Sequence, residues 1–208
     1  MTNILALADD FAQSEIERYG LPSKINFDVS NQKGAELAKL LGADEHIVAL
    51  GTRLMDVKLG EASANNVLSD HITMSADAAQ KFLSEHNVSE EIMQKVLACV
   101  REHHETSWSC LEAEICANAD CYRFLLVHNW LAFVHSLGAQ GMPFSQAIVL
   151  ARQKVDEKRT ILSLPSCIKE LTPHYECIQE LLNKTRLVWS DKPAVRAGVG
   201  SNDLARIL

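Results

Sequence analysis

Apolar side chains recur every three to four residues along most of this 208-residue chain, and this period constrains the fold more than any other feature. It matches one face of an α-helix, whereas a half-buried strand alternates every second residue. Only nine glycines and five prolines are present, and alternating β-branched runs are rare. The sequence therefore predicts an all-α protein.

The expected helices follow from these apolar segments and from the residues that can cap them. We expect helices over residues 3–19, from the Asp28–Asn31 segment to Leu41, after Asp44, over 71–86, from Ser89 to the histidine pair at 103–104, from Leu111 to about Leu137 with a break near Asn129, over 144–159, and over 167–188. The segment from Gly60 to Asp70 is polar and is expected to be a connection.

One carboxylate, Asp120, lies in the apolar body of the segment that starts at Leu111. A buried charge is costly unless a counter-ion or a metal neutralises it. Asp120 therefore needs a partner, and Arg123, one turn further along the helix, is one candidate. The adjacent histidines His103 and His104, at the end of the preceding amphipathic segment, belong to the residue types that bind metals.

Several positions could project from separate helices into one shared cavity: Asp56, His71, His103 with His104, and Asp120. Helical bundles build metal sites in this way. A mixed set of histidines and aspartates suits Zn, Mn, Fe or Ni, and carboxylate-rich sites tolerate Mg.

Other roles for these residues stay open on the sequence alone. His71 can be an exposed residue at the start of a helix, and the histidine pair can complement the dipole at a helix C-terminus. Asp56 can be exposed, or it can pair with Arg53 or Lys58.

The order of these residues and their local context resemble the HD superfamily of metal-dependent phosphohydrolases. The matching text is LAKLLGADEHIVALGTRLMDVKLG, then HITMSADAA, then VLACVREHH, then LEAEICANADCYRF, within about residues 26–125. The resemblance implies a single-domain helical bundle over residues 1–190. Its HD-like core would span about 26–125, helices over 126–190 would cover that core, and residues 191–208 would form a C-terminal tail.

Two positions depart from the family pattern. Met55 stands where the family has the histidine of its His-Asp pair, and residues 26–30 contain no histidine where the family has its first one. Asp28 is the nearest candidate substitute ligand. Because methionine is a poor ligand for hard cations, the resemblance implies one metal held by Asp56, His71, His103 and Asp120.

The resemblance implies a metal-dependent phosphohydrolase that acts on a nucleotide or another small phosphorylated metabolite. Its cofactor would be a divalent metal (Mn, Fe, Ni, Zn or Mg), and its catalytic residues would be Asp56, His103 and His104. A second hypothesis is a degenerate HD-like protein that binds a ligand or regulates without turnover. A third is a helical interaction protein, in which the imidazoles of His71 and His103 would lie more than about 10 Å apart, too far to share a metal.

The composition of the chain limits which partners and which cellular compartment we expect. The net charge of −7 argues against a nonspecific grip on nucleic acid, which relies on basic residues. Six cysteines without a CxxC pair predict free thiols in a reducing cytoplasm. Acidic residues interrupt the first twenty positions and no apolar run reaches about 18 residues, so we expect neither a signal peptide nor a membrane partner. The oligomeric state stays open.

Overall fold

The computed structural model describes residues 4–189, with side chains described as far as residue 184. This part of the chain forms α-helices joined by short connections and one 3-10 turn, Leu68–Asp70, and the predicted all-α class is confirmed. The helices are α1 (Ile4–Tyr19), α2 (Lys24–Leu41), α3 (Glu45–Leu54), α4 (Leu59–Ala64), α5 (His71–Glu85), α6 (Glu90–Glu102), α7 (Leu111–Leu125), α8 (Val127–Ala139), α9 (Phe144–Ile161) and α10 (Pro165–Trp189).

Helix α7 is the centre of the fold. Every residue from Glu112 to Leu125 except Glu114 is buried, and α2, α3, α6, α8, α9 and α10 all pack against it. Burial on all sides distinguishes a core helix from a surface helix, which keeps one polar face. A charged residue in the middle of α7 is therefore removed from water, as the sequence predicts for Asp120.

Small residues let α3, α6 and α7 approach one another closely. A Cβ added to Gly51 of α3 would lie 2.6 Å from Cys99 Cβ of α6 and 2.8 Å from Cys116 Sγ of α7. Both cysteines are fully buried and act as small apolar groups. This contact brings the end of α3, and with it Asp56, against α7, which carries Asp120, and α6, which ends at the histidine pair.

Helix α2 begins earlier than the sequence predicts. Ser23 is extended (φ −62°, ψ 146°), and its carbonyl accepts the first hydrogen bonds of a helix that starts at Lys24. Asp28, expected near the cap, instead lies within the helix and pairs with Lys24 at 2.8 Å. Both side chains are exposed, so Asp28 faces solvent.

The long helix predicted from Leu111 is two helices, and the break falls at Leu126 instead of near Asn129. Leu126 is extended (φ −73°, ψ 130°), so it ends α7 and precedes α8. Asn129 lies buried inside α8, where its Nδ2 donates to Asn26 Oδ1 at 2.9 Å. No glycine or proline marks the break, which is why the apolar pattern runs through it.

The remaining expectations for the fold have mixed outcomes. Asp44 caps α3 as predicted, since its Oδ1 accepts from the backbone N–H groups of His46 and Ile47. The connection expected from Gly60 to Asp70 is largely helical, because it contains most of α4 and the 3-10 turn.

The tail predicted over 191–208 lies outside the described residues, so the division of the chain stays a prediction. Within residues 4–189, no helix is long and apolar enough to cross a membrane.

The close approach at Gly51 predicts a sensitive position. Gly51→Ala should lower the free energy of unfolding by about 1–3 kcal/mol, because the methyl group overpacks the contact with Cys99 and Cys116. Gly138→Ala in α8 is the matched control, because nothing lies within 4 Å of its added Cβ and alanine is the better helix former. Urea unfolding of the two variants makes the comparison, and equal stabilities would contradict the packing argument.

Candidate metal centre

The polar residues singled out in the sequence meet at one place in the fold. They come from the turn after α3, the first residue of α5, the two residues after α6, and the middle of α7: Asp56, His71, His103 with His104, and Asp120. The ring centroids of His71 and His103 are 6.3 Å apart. The separation of more than about 10 Å expected for a helical interaction protein is therefore wrong.

Local hydrogen bonds fix the segments that carry these residues. After α3, the backbone N–H of Lys58 donates to the buried Ser75 Oγ at 3.1 Å, which ties the turn that contains Asp56 to α5. After α6, Trp108 Nε1 donates to the Glu102 carbonyl at 3.1 Å. The loop thus folds back over the end of α6, where the histidine pair begins.

Backbone carbonyls set the tautomers of two histidines. His71 Nδ1 lies 2.7 Å from the Leu68 carbonyl oxygen, and His103 Nδ1 lies 2.7 Å from the Val100 carbonyl oxygen. A carbonyl only accepts, so each Nδ1 carries the proton, and in a neutral ring Nε2 then presents its lone pair. This arrangement is the one by which proteins orient a histidine to bind a metal through Nε2.

These lone pairs converge on one carboxylate oxygen. Asp56 Oδ1 lies 3.6 Å from His71 Nε2 and 3.5 Å from His103 Nε2. Both Asp56 Oδ1 and His103 Nε2 are buried without a hydrogen-bond partner. Nitrogen atoms of His71, His103 and His104 also lie within 4.8 Å of one another. A cation placed between these buried acceptors would compensate all of them, so this donor set fits a divalent metal.

Burial keeps the two outer histidines neutral. It lowers the pKa of His71, and the negative charge of Asp56 offsets only part of that effect. Burial lowers the pKa of His104 further, and the nearby His103 and Lys158 act in the same direction. A neutral imidazole is the form that ligates a metal, so both rings are in that form near pH 7.

Arg123 joins the two buried aspartates. Its Nη1 donates to Asp56 Oδ2 and, at 2.7 Å, to Asp120 Oδ1, and all three side chains are almost fully buried. Burial by itself raises the pKa of Asp56, but the Arg123 guanidinium, together with His103 and His71, outweighs burial and holds that pKa well below its usual range. Pairing of Asp120 with Arg123, one of the alternatives open in the sequence, is therefore present.

Lys158 of α9 is a second cation on Asp120, and sequence reasoning missed it. Its Nζ lies 2.7 Å from Asp120 Oδ2, and both side chains are fully buried. The two atoms form an ion pair whose geometry does not meet the angles of a hydrogen bond. Burial opposes the ionised form of Asp120, yet Lys158 and Arg123 lower its pKa. In the sequence, Lys158 looks like a solvated residue in the last turn of a helix, so no local signal marks it.

The altered positions of the family pattern lie among closely packed core residues. Met55 is 1% exposed and is part of the main hydrophobic core. Only a cavity of about 10 Å³ remains beside it, lined in part by Phe27, Ser30 and Asp56. Asp28, the expected substitute ligand, is exposed on the outer face of α2 and is not among the residues brought together.

The alternative partners proposed for Asp56 are engaged elsewhere. Arg53 pairs with Asp9 at 2.8 Å. Lys58 pairs with Glu15 at 3.0 Å and with Glu61 at 2.8 Å. Pairing of Asp56 with either residue, left open by the sequence, is therefore wrong.

His104 lies between two carboxylates at the edge of the centre. Its Nε2 is 4.0 Å from Asp120 Oδ2, and its Nδ1 is 3.7 Å from Glu157 Oε1. Lys154 pairs with the other oxygen of Glu157 at 2.7 Å. This side of the centre thus holds an imidazole with acceptors on both sides and a partly exposed ammonium group.

A cleft of about 700 Å³ opens onto the centre. Asp56, His71, His104, Arg123 and Lys154 line it, together with a larger set of mostly apolar residues from α4, α7, α8 and α9 and their connections. Its volume falls within the range of about 300–1,000 Å³ that is common for small-molecule sites. The cleft is therefore lined by candidate metal ligands, by a guanidinium group and by an ammonium group. It can hold a small anionic molecule.

Two solved structures are similar to this chain. One is a crystal structure described as a predicted HD superfamily hydrolase from an uncultured Thermotogales bacterium; it is 16% identical with a TM-score of 0.62, and the match covers 89% of this chain and 92% of that one. The other is a protein from Lactobacillus plantarum, 13% identical with a TM-score of 0.71, over 92% of this chain and 99% of that one.

No protein-family model and no curated protein sequence matches the chain. The structural likeness over nearly the whole chain confirms the HD-type helical fold expected from the sequence. At these identities the likeness establishes the fold alone, so function has to be argued from the residues of the centre.

The buried cation on Asp120 can be tested by stability. Lys158→Met should lower the free energy of unfolding by about 3 kcal/mol, because it leaves one oxygen of a desolvated carboxylate without its counter-ion. Lys81→Met is the control, since Lys81 is exposed and reaches Glu85 only at 4.0 Å. Chemical denaturation measures both variants, and equal effects would show that Lys158 does not neutralise Asp120.

Proposed function

We propose that this chain is a metal-dependent phosphohydrolase in which His71, His103 and Asp56 hold one divalent metal. The observation that carries the proposal is the convergence of two Nε2 atoms on Asp56 Oδ1, with no hydrogen-bond donor for the buried His103 Nε2 or for that oxygen. Because two of the three ligands are nitrogens, the set favours Zn, Mn, Fe or Ni over Mg.

The remaining residues of the centre have distinct parts in this proposal. A divalent metal, when bound, supplies Lewis acidity that activates water and polarises a phosphoryl oxygen. Arg123 and Lys154 line the cleft and attract the phosphate by their charge. His104, a neutral imidazole that lines the cleft, donates its ring N–H to a phosphoryl oxygen.

Asp120 positions cations in this proposal instead of binding the metal directly. One oxygen faces Arg123 and the other faces Lys158, each at 2.7 Å. The role of metal ligand that the sequence predicts for Asp120 would require the metal to displace one of these cations.

The substrate proposed is a small phosphorylated molecule, such as a nucleotide or another phosphorylated metabolite. The cleft offers room and positive charge for one, and the acidic chain argues against nucleic acid as a partner. All six cysteines are free, which supports our placement of the protein in a reducing cytoplasm.

One observation favours a second function, in which the centre binds a ligand or regulates without turnover. Arg123 and Lys158 already balance the charges of Asp56 and Asp120, and Met55 replaces a histidine of the family pattern. A centre of this kind can bind a phosphate through its cations without activating water. It would show ligand-dependent thermal stabilisation and no hydrolysis.

Metal content tests the proposed ligands. Protein incubated with Mn, Ni or Zn and then desalted should retain about one equivalent of metal, as expected for a single three-ligand site. His103→Gln should retain less than a tenth of that amount, measured by plasma mass spectrometry. His46→Gln is the control, because His46 is exposed in α3, and it should bind metal like the parent. A parent protein that retains no metal would overturn the proposed centre.

Turnover tests the role of His104 separately. His104→Phe should keep the bound metal but lower kcat on phosphate esters by about 100-fold or more, because a hydrogen-bond donor to the phosphoryl group is lost. Phosphate release from a panel of phosphoesters, in Mn, Ni or Mg, provides the measurement. Metal binding by the parent protein without release from any ester would instead support the regulatory alternative.

A further inference from the structure

The charged groups of the cleft lie together at the metal centre. Asp56, Arg123 and Lys154 are the ionic residues among those that line it within the described part of the chain. Arg123 bonds Asp56 directly, and Lys154 pairs with Glu157, whose other oxygen lies 3.7 Å from His104 Nδ1. One part of the cleft is therefore suited to an anion.

A series of apolar contacts leads away from this charged part. The guanidinium carbon of Arg123 lies 5.4 Å from the centroid of the Phe124 ring. Phe124 meets Phe133 of α8 edge to face, with centroids 5.2 Å apart. Phe133 and Met142 in turn pack on the small apolar cluster of Leu137, Ala147 and Leu150 between α8 and α9. Most of these side chains also line the cleft.

The aromatic residue nearest the cations, Phe124, is poorly placed to stack on a nucleobase. Phe124 is only 8% exposed, and Arg123 and Lys158 already lie over its ring at 5.4 and 5.7 Å. Among the described residues, five uncharged polar side chains other than the histidines line the cleft, and two of them, Ser136 and Gln140 of the α8 side, bond each other at 3.3 Å. On the α8 side, the surface beyond the cations therefore offers mainly apolar contact area and few of the hydrogen bonds that sugar and base groups require.

We infer that the cleft accepts phosphate monoesters whose alcohol part is a hydrocarbon chain or ring, in preference to nucleotides. The inference rests on the proposed function for its phosphate end and narrows the substrate class. The phosphate meets Arg123, Lys154 and the metal centre, while the hydrocarbon part lies along Phe133, Leu137 and Leu150.

The reaction of such an ester is ordinary hydrolysis and requires no further reactant. The water oxygen forms a new bond to phosphorus, and the bond between phosphorus and the alcohol oxygen breaks. One proton of the water ends on the alcohol oxygen and the other on the phosphate. The products are the free alcohol and inorganic phosphate.

A homologous series of ligands tests the inference independently of turnover. Ethyl-, butyl- and hexylphosphonate carry the same anionic head and cannot be hydrolysed, so titration calorimetry reports binding alone. Affinity should rise by up to about fourfold per added methylene, the value of burying a CH₂ group. Adenosine monophosphate should bind more weakly than hexylphosphonate. Affinity independent of chain length, or tighter binding of the nucleotide, would overturn the inference.

Variants locate the effect in the apolar part of the cleft. Phe133→Ala should flatten the dependence of affinity on chain length while leaving ethylphosphonate binding unchanged. Leu131→Ala, on the same helix but 52% exposed and outside the cleft, is the matched control and should retain the full dependence. If Phe133→Ala does not fold, Met142→Ser provides the same test from the connection between α8 and α9. If a folded Phe133→Ala or Met142→Ser variant kept the full dependence of affinity on chain length, the inference would be overturned.

Turnover of ethyl, butyl and hexyl phosphate separates this inference from the proposed function. The three esters have leaving alcohols of similar acidity, so their intrinsic reactivity is nearly constant and kcat/KM should rise with chain length. Binding that depends on chain length without hydrolysis would refute the hydrolase and leave the ligand class intact. Hydrolysis whose kcat/KM does not rise with chain length would leave the hydrolase intact and overturn the ligand class.

Discussion

The bridge that Arg123 makes between Asp56 and Asp120 is the interaction on which the rest of the structure depends. Two carboxylates buried in a helical core would each shift toward the neutral form without a counter-ion. One guanidinium nitrogen serves both, and Lys158 adds a second cation to Asp120. The turn after α3, the middle of α7 and the last part of α9 are thereby held together by charge as well as by apolar packing.

Because of this bridge, the two carboxylate oxygens of Asp56 have different surroundings. Oδ2 belongs to the ion-pair network, whereas Oδ1 faces His71 and His103 and has no hydrogen-bond partner. The ion pairs are balanced without any metal, since two carboxylates meet two cations. A metal at the histidines would therefore add net positive charge to the cleft, which suits a dianionic phosphate.

Much of the fold and part of the centre can be predicted from the sequence. The evidence for them lies in local patterns and in the order of a few residues along the chain. Helical periodicity identifies the class, and Asp44 identifies a cap. The order of Asp56, His71 and His103 along the chain is enough to place them together once the scaffold resembles a known one. Lys158 could not be found in this way, since its partner lies 38 positions earlier on another helix and its own segment looks like a solvated helix end. The break at Leu126 cannot be predicted for a related reason. No glycine or proline marks the end of α7, so the local sequence gives no sign of it.

The carbonyl groups that hold His71 and His103 have a consequence for local folding. Val100 lies in the last turn of α6, where backbone carbonyls lack partners within their own helix. Leu68 begins the 3-10 turn, and its carbonyl accepts from both the backbone N–H and the ring of His71. Each imidazole thus completes the end of a helical segment while that segment orients the ring. Fraying of either end would scatter the Nε2 atoms, so occupancy of the centre and the order of these two helix ends are thermodynamically linked. Amide protons near Val100 and Leu68 would then exchange with solvent more slowly whenever the centre is filled, which makes backbone exchange a reporter of site occupancy.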